Sequence, residues 1–219
     1  MERNNVVVFD LDDTLYKEID FLKSAFREIG EYLEKQFVLN APYDELIGYY
    51  HQGKDAFQEI IYSYQLSIDK NILVKMYRAH QPSLCLDGDT RQALQGLKNK
   101  KYHLGIITDG RSVSQRNKIK ALGLKEFIDK ENILISDEIG HQKPDEYAFR
   151  WMEERYKGCD FIYVGDNPEK DFVAPNRLGW ETICLMDDGR NIHGQNFNLP
   201  MEYLPKKKIY AFSELDWLM

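Results

Sequence analysis

The sequence predicts an α/β fold: a doubly wound parallel sheet core with an all-α helical cap inserted after its first strand. Three observations predict it. Short apolar runs rich in β-branched residues recur along the chain. Segments with helical spacing alternate with them. About 95 residues without a convincing strand separate the first run from the second, far more than a crossover needs.

Val6–Phe9 is the first run, and its continuous rather than alternating apolarity suits a strand buried on both faces of a parallel sheet. Residues 17–82 then read as helical. Leu22, Phe26, Ile29 and Leu33 share one helix face, Pro42 opens a short helix through Tyr50, and Ala56–Leu66 and Ile72–His80 supply two more. The alternation resumes with a helix at Ala93, Leu94 and Leu97 and a strand at Leu104–Thr108. A helix over Val113–Leu122 follows, closed by Gly123 at a C-cap position. Ile133–Ile135 is the third strand and Phe161–Val164 the fourth, with a helix at Tyr147–Tyr156 between them. Phe172–Leu178 is helical and stops at Gly179, and the last two strands fall at Thr182–Leu185 and Ile209–Phe212. Ser213 with Asp216 predicts a helix start that lets Leu215, Trp217 and Leu218 dock. Right-handed βαβ units in this order give a Rossmann-like core of residues 1–16 and 83–219, with residues 17–82 as its cap.

Composition narrows the function. The 219 residues carry 29 Lys+Arg against 36 Asp+Glu, a net charge of −7, which argues against a nucleic-acid binder but leaves room for a local anion site. Cys85, Cys159 and Cys184 are scattered and odd in number, a pattern of reduced thiols. The N-terminal apolar run is too short for a signal peptide or a membrane span, so a cytoplasmic protein is expected.

Four strand-end motifs carry the chemistry. In Asp10-Leu11-Asp12-Asp13-Thr14-Leu15, Asp10 and Asp12 lie two residues apart and should face one point beyond the strand. Two carboxylates there repel unless a proton or a cation joins them, and hard oxygen ligands suit Mg²⁺. Thr108-Asp109-Gly110 offers a hydroxyl and successive backbone N–H groups near a helix start, a nest for phosphate. Lys143 precedes a helix and could neutralise developing negative charge. Gly165-Asp166-Asn167-Pro168-Glu169-Lys170-Asp171 adds two carboxylates five residues apart; Asp166 should point into the crevice with Asp10.

Taken together and in this order, these motifs resemble the four motifs of the haloacid dehalogenase superfamily, and the insert resembles its C1-type cap. The resemblance implies a Mg²⁺-dependent phosphomonoester hydrolase working through an aspartyl-phosphate. In it Asp10 is the nucleophile and Asp12 the acid and base. Thr108, the N–H groups of Asp109 and Gly110, and Lys143 hold the phosphoryl oxygens. Asp10, Asp166 and the backbone carbonyl of Asp12 ligate the metal, while Asp171 acts through water or by orienting Lys143. Displacing halide needs neither an acid nor a metal, so the presence of Asp12, Asp166 and Asp171 favours phosphate esters. The implied partner is a small phosphorylated metabolite, a sugar phosphate or a nucleoside monophosphate, with neither nucleic acid nor membrane. A β-phosphoglucomutase-like phosphotransferase and a catalytically idle binding module remain as alternatives.

Gly48–Lys54 mimics a P-loop, but Asp55 stands where Ser or Thr should bind Mg²⁺, and no strand precedes it. As a cap loop instead, His51, Gln52 and Lys54 are candidates for contacting the leaving group, and Arg111 for adding a phosphate donor.

Overall fold

Six parallel strands make one sheet in the order β3-β2-β1-β4-β5-β6: β1 Asn5–Phe9, β2 His103–Thr108, β3 Ile133–Ile135, β4 Asp160–Gly165, β5 Glu181–Leu185 and β6 Lys207–Ile209. The structure, a computed structural model, describes residues 5–215. Val6, Val7, Val8 and Phe9 of β1 are all fully buried. Strand alternation sends Val7 and Phe9 into one face, with Leu94, Leu97, Ile106 and Val164. Val6 and Val8 enter the other, with Phe149, Met152 and Tyr163. Two hydrophobic layers around β1 therefore fix its register against β2 and β4, and each fully buried side chain is worth about 1.5–3 kcal/mol.

Except for one short helix after β3, the helices fall where the spacing placed them. In the core they are α5 Gly88–Asn99, α6 Ser112–Ala121, the short α7 Ser136–Ile139, α8 Tyr147–Arg155 and α9 Val173–Arg177. Between β1 and α5 come α1 Glu18–Phe37, α2 Pro42–His51, α3 Ala56–Ser63 and α4 Lys70–Ala79. These four bury a core of their own around Phe26, Ile29, Leu33, Leu46, Ile60 and Leu73. The insert after β1 is thus a helical cap with a separate apolar interior.

The C-terminal segment departs from expectation. The last strand is Lys207–Ile209 rather than Ile209–Phe212, so Lys207 and Lys208 lie within the strand instead of before it. Phe212–Leu215 is a 3-10 turn, with Phe212 and Leu215 buried under the sheet. The apolar run continued past the strand because those two side chains plug the core from a turn. Trp217 and Leu218 of the expected docking helix, with Asp216, lie outside the described residues.

α6 and the segment after β5 attach the cap to the core. Ser114 Oγ donates to the Arg78 carbonyl (2.7 Å) and Asn117 Nδ2 to that of His80 (2.9 Å), which seats the C-terminal hinge. His80 is buried there, its ring bonded to Ser24 Oγ (2.8 Å) and to Glu28 of α1. The carboxyl ends of β1 and β4 are neighbours at the point where the strand order reverses, the crevice in which open α/β sheets bind ligands.

Candidate active site

Backbone pairing extends one residue past β1, since Asp10 N donates to the Val164 carbonyl (2.8 Å), and this holds the Asp10 side chain over β4. Lys143 reaches it from the loop after α7. Its Nζ donates to Asp10 Oδ1 (2.6 Å), Asp171 Oδ1 (2.6 Å) and the Tyr163 hydroxyl (3.0 Å). All four groups are buried. Burial opposes the charge on Lys143, but Asp10 and Asp171 outweigh it and hold the ammonium well above its ordinary range.

Asp171 spends both oxygens. Oδ1 takes Lys143, and Oδ2 accepts from the N–H groups of Asp166 (3.1 Å) and Asn167 (2.8 Å). Burial works against its charge, but Lys143 and Lys170 prevail and lower its pKa. It is a strut that fixes both the β4 loop and the lysine. Gly165 makes room for it: a Cβ there would lie 2.6 Å from Asp171 Oδ2 and 2.8 Å from Cγ. Asp171, tied on three sides, has nowhere to move. Gly165→Ala is expected to cost about 1–3 kcal/mol by overpacking and to lower kcat on the order of 100-fold by displacing the lysine. Thermal melts and steady-state kinetics check both.

Asp10, Asp166 and Asp171 each bring a carboxylate oxygen within 4.8 Å of the others, both oxygens of Asp171 already accepting hydrogen bonds. Lys143 and the half-buried Lys170 together cannot neutralise three carboxylates. Burial, reinforced by Asp171 and Asp10, pushes Asp166 up to about 9, and burial raises Asp10 to about 6 against the pull of Lys143. Three hard-oxygen groups with a shortage of positive charge suit a divalent cation such as Mg²⁺. A carboxyl raised in the folded state binds more protons there, so the contribution of Asp166 to the stability of the cation-free protein falls as pH rises from about 4 to about 9. Mg²⁺ needs the ionised form. Its binding near pH 7 should therefore expel about one proton from Asp166, measurable by calorimetry in buffers of different ionisation heat. The Mg²⁺-induced rise in Tm should also grow with pH over that range; a rise independent of pH would show Asp166 already ionised without a cation.

Asp12 faces a different set of donors. Lys118 Nζ (2.7 Å) and the Tyr16 hydroxyl donate to Oδ1, and Gln115 Nε2 (2.9 Å) to Oδ2. Burial raises its pKa, but Lys118 and these bonds overcome that and lower it. Gln115 also donates to Thr108 Oγ1 (2.7 Å), joining Asp12 to the phosphate turn. Lys118 lies 3.5 Å from Glu18 of α1, which burial beside Asp12 pushes up to about 7. Sequence reasoning missed Lys118, Gln115, Tyr16 and Tyr163.

The other predicted residues fall in two groups. Thr108 ends β2, and Asp109 and Gly110 form the turn after it. Lys143 N donates to Asp109 Oδ1 (3.1 Å), and Gly110 N donates to Ser136 Oγ (3.0 Å). Gly110 has φ 143°, which a side chain rarely adopts, and a Cβ would press on Gln115. Arg111 turns away to Asp137 (3.2 Å) and is exposed. His51, Gln52 and Lys54 are exposed at the end of α2, where Lys54 pairs with Glu59 (3.4 Å) and lies over the Tyr49 ring. Two further cap groups respond to charge at this edge of the site, Tyr50 and Tyr77: burial, then Glu18, raise both phenols.

The sequence profile of the haloacid dehalogenase-like hydrolases matches residues 7–185. The chain belongs to this family. Within it, the chain is 28% identical to a glyceraldehyde 3-phosphate phosphatase of Methanocaldococcus jannaschii over 193 residues, 82% of this chain and 84% of that one. It is 25% identical to the HAD-hydrolase YfnB of Bacillus subtilis, over 98% of this chain and 95% of that one. A magnesium-bound crystal structure of YfnB superposes with a TM-score of 0.71 at 22% identity, covering 99% of both chains, which shows the shared haloacid dehalogenase fold. Pyrimidine 5'-nucleotidase YjjG of Escherichia coli matches at 29% over 119 residues, 53% of this chain and 49% of that one. Among the described residues no helix is long and apolar enough to cross a membrane.

Proposed function

We propose that the chain hydrolyses phosphomonoesters of small metabolites, sugar phosphates ahead of nucleoside monophosphates, with Mg²⁺ held between Asp10 and Asp166. The observation that carries this reading is the convergence of Asp10, Asp166 and Asp171 within 4.8 Å around one buried lysine. Similarity to glyceraldehyde 3-phosphate phosphatases supports the sugar-phosphate class, and the shorter match to a nucleotidase supports the second.

Asp10 Oδ2 and Asp166 Oδ1, which take no hydrogen bond from described residues, and the Asp12 carbonyl would hold the cation. Mg²⁺ supplies charge neutralisation between an anionic nucleophile and a dianionic ester. Asp10 attacks phosphorus, forming the aspartyl-phosphate as the bond to the leaving oxygen breaks. Asp12 gives its proton to that oxygen, then takes one from the water that attacks phosphorus and returns Asp10 with release of phosphate. Lys118 keeps Asp12 anionic in the substrate-free protein, the state the second step needs; a phosphate dianion beside it favours the protonated form for the first. Lys143, Thr108 and the N–H groups of Asp109 and Gly110 hold the phosphoryl oxygens, once Gly110 N releases Ser136. The cap, residues 17–82, excludes bulk water, and its Tyr50 and Tyr77 are candidates for contacting the leaving group.

Phosphate release from p-nitrophenyl phosphate and from a panel of triose, pentose and hexose phosphates and nucleotides tests the reading. Turnover should stop with chelator, return with Mg²⁺, and be fastest on a short sugar phosphate. Turnover indifferent to chelator would contradict it, and interconversion of sugar phosphates without phosphate release would replace it with a phosphotransferase.

A further inference from the structure

The segment after β5 contains no motif, yet it touches three parts of the site. Asp187 Oδ1 accepts from the N–H groups of Gly189 (2.8 Å), Arg190 (3.0 Å) and Asn191 (3.0 Å), winding the chain into a tight turn. Gly189 takes the φ of 90° that this turn requires. The turn presents the Asn191 amide to the crevice, where Nδ2 donates to Asp166 Oδ2 (2.9 Å). Gln195 Nε2 clamps the same aspartate from behind, donating to the Asp166 carbonyl (2.7 Å) and the Leu185 carbonyl (2.8 Å). Ile192 N donates to Asp13 Oδ2 (2.9 Å) beside the β1 motif, and the Ile192 side chain packs on the cap interior. Asn191 Oδ1 accepts from Lys17 Nζ (2.6 Å), which also lies 3.4 Å from Asp188. Lys17 is the residue before α1, where the chain passes from core to cap.

We infer that Asn191 is a positioning residue for the cation ligand Asp166, and that through Lys17 it makes cation affinity depend on how the cap hinge is docked. This rests on the proposed metal site. An amide on Oδ2 fixes the rotation of the carboxylate and leaves Oδ1 as the ligand atom. Partners of this kind contribute about 10–100-fold to metal affinity when they orient a ligand. Lys17 fixes the amide in turn. It holds Oδ1 of Asn191, which leaves only the N–H₂ end for Asp166 and so sets which way the amide faces. Coupling of this sort is reciprocal: whatever seats Lys17 in the hinge tightens cation binding, and a bound cation steadies the hinge.

The experiment is a titration of Mg²⁺ alone into the substrate-free protein, read by calorimetry and by Mg²⁺-dependent shifts in Tm. Asp166→Asn serves as the reference variant and should lose most binding. Asn191→Ala should weaken Mg²⁺ affinity by about tenfold while the cation-free Tm changes little. Lys17→Met should weaken it less, and should add nothing in the Asn191→Ala background because it acts through Asn191. Wild-type affinity in Asn191→Ala alongside weakened Asp166→Asn overturns the role of Asn191 alone. Additive losses for Lys17→Met and Asn191→Ala overturn the coupling to the hinge. Wild-type affinity in Asp166→Asn overturns the metal site itself, and this inference with it.

Discussion

Asp10→Asn should lower kcat by at least about four orders of magnitude while leaving the fold intact, as removal of a nucleophile does. An amide is isosteric with the carboxylate and keeps an oxygen for Lys143, whose ion pair with Asp171 survives (2.6 Å). The stability change has a definite sign. Burial raises Asp10 to about 6 from an ordinary 3.8, so in the cation-free protein its ionisation costs stability as pH climbs between those values. The neutral amide removes that cost and one source of repulsion on Asp166. Cation-free Asp10→Asn should therefore melt no lower than wild type near pH 7, and melts with phosphate-release assays on one preparation test both halves. Retained turnover would remove Asp10 as nucleophile.

Lys143→Met should be the most destabilising change at the site, by about 3–5 kcal/mol near neutral pH, because it leaves two buried carboxylates without their partner. It should also lower kcat by about 10²–10³, the cost of losing one donor to the developing charge. The loss of stability depends on pH in a way that identifies its cause. Asp171 is held below its ordinary 3.8, so its contribution is present above that pH and disappears as pH falls. Lys143 is held above its ordinary 10.5, so its contribution is present below that pH and disappears as pH rises through the folded value. The gap between wild type and Lys143→Met should be widest between about pH 4 and pH 10. Chemical denaturation at three pH values measures it, and a gap constant with pH would mean lost packing rather than lost charge.

The strand ends and the residues gathered there were legible because each strand end pairs a short apolar run with a polar turn that the fold does not otherwise need. Asp10 and Asp166 directly follow β1 and β4 and Thr108 ends β2, and parallel neighbours in the sheet bring them together. Lys143 was legible from its motif but not its three-way bond, which depends on Tyr163 from the middle of β4. Groups that orient these residues from far along the chain were not legible. Lys118 and Gln115 join Asp12 from about one hundred residues away, on a helix read only from its spacing and its Gly123 stop. A signal was present there. Gln115 and Lys118 occupy the inward stripe with Ile119 and Leu122, where a core helix ordinarily carries apolar residues, and both are buried. Asn191 had none: its reach to Asp166 is set by a turn wound on Asp187 in a segment without periodicity. The end of β6 was misplaced for a related reason, since Phe212 and Leu215 bury themselves from a turn that looks like a strand's continuation.

Nucleophile and acid–base separate most directly in one measurement, the burst of p-nitrophenol from p-nitrophenyl phosphate on Asp12→Asn with Mg²⁺. Nitrophenolate leaves without a proton, so Asp10 can still take the phosphoryl group, but water lacks the base that removes it. Release of about one equivalent per protein is expected, then a stall, with the phosphoryl group at Asp10 on the peptide ending at Lys17. Steady turnover without a burst, or phosphate found on any other residue, would contradict it.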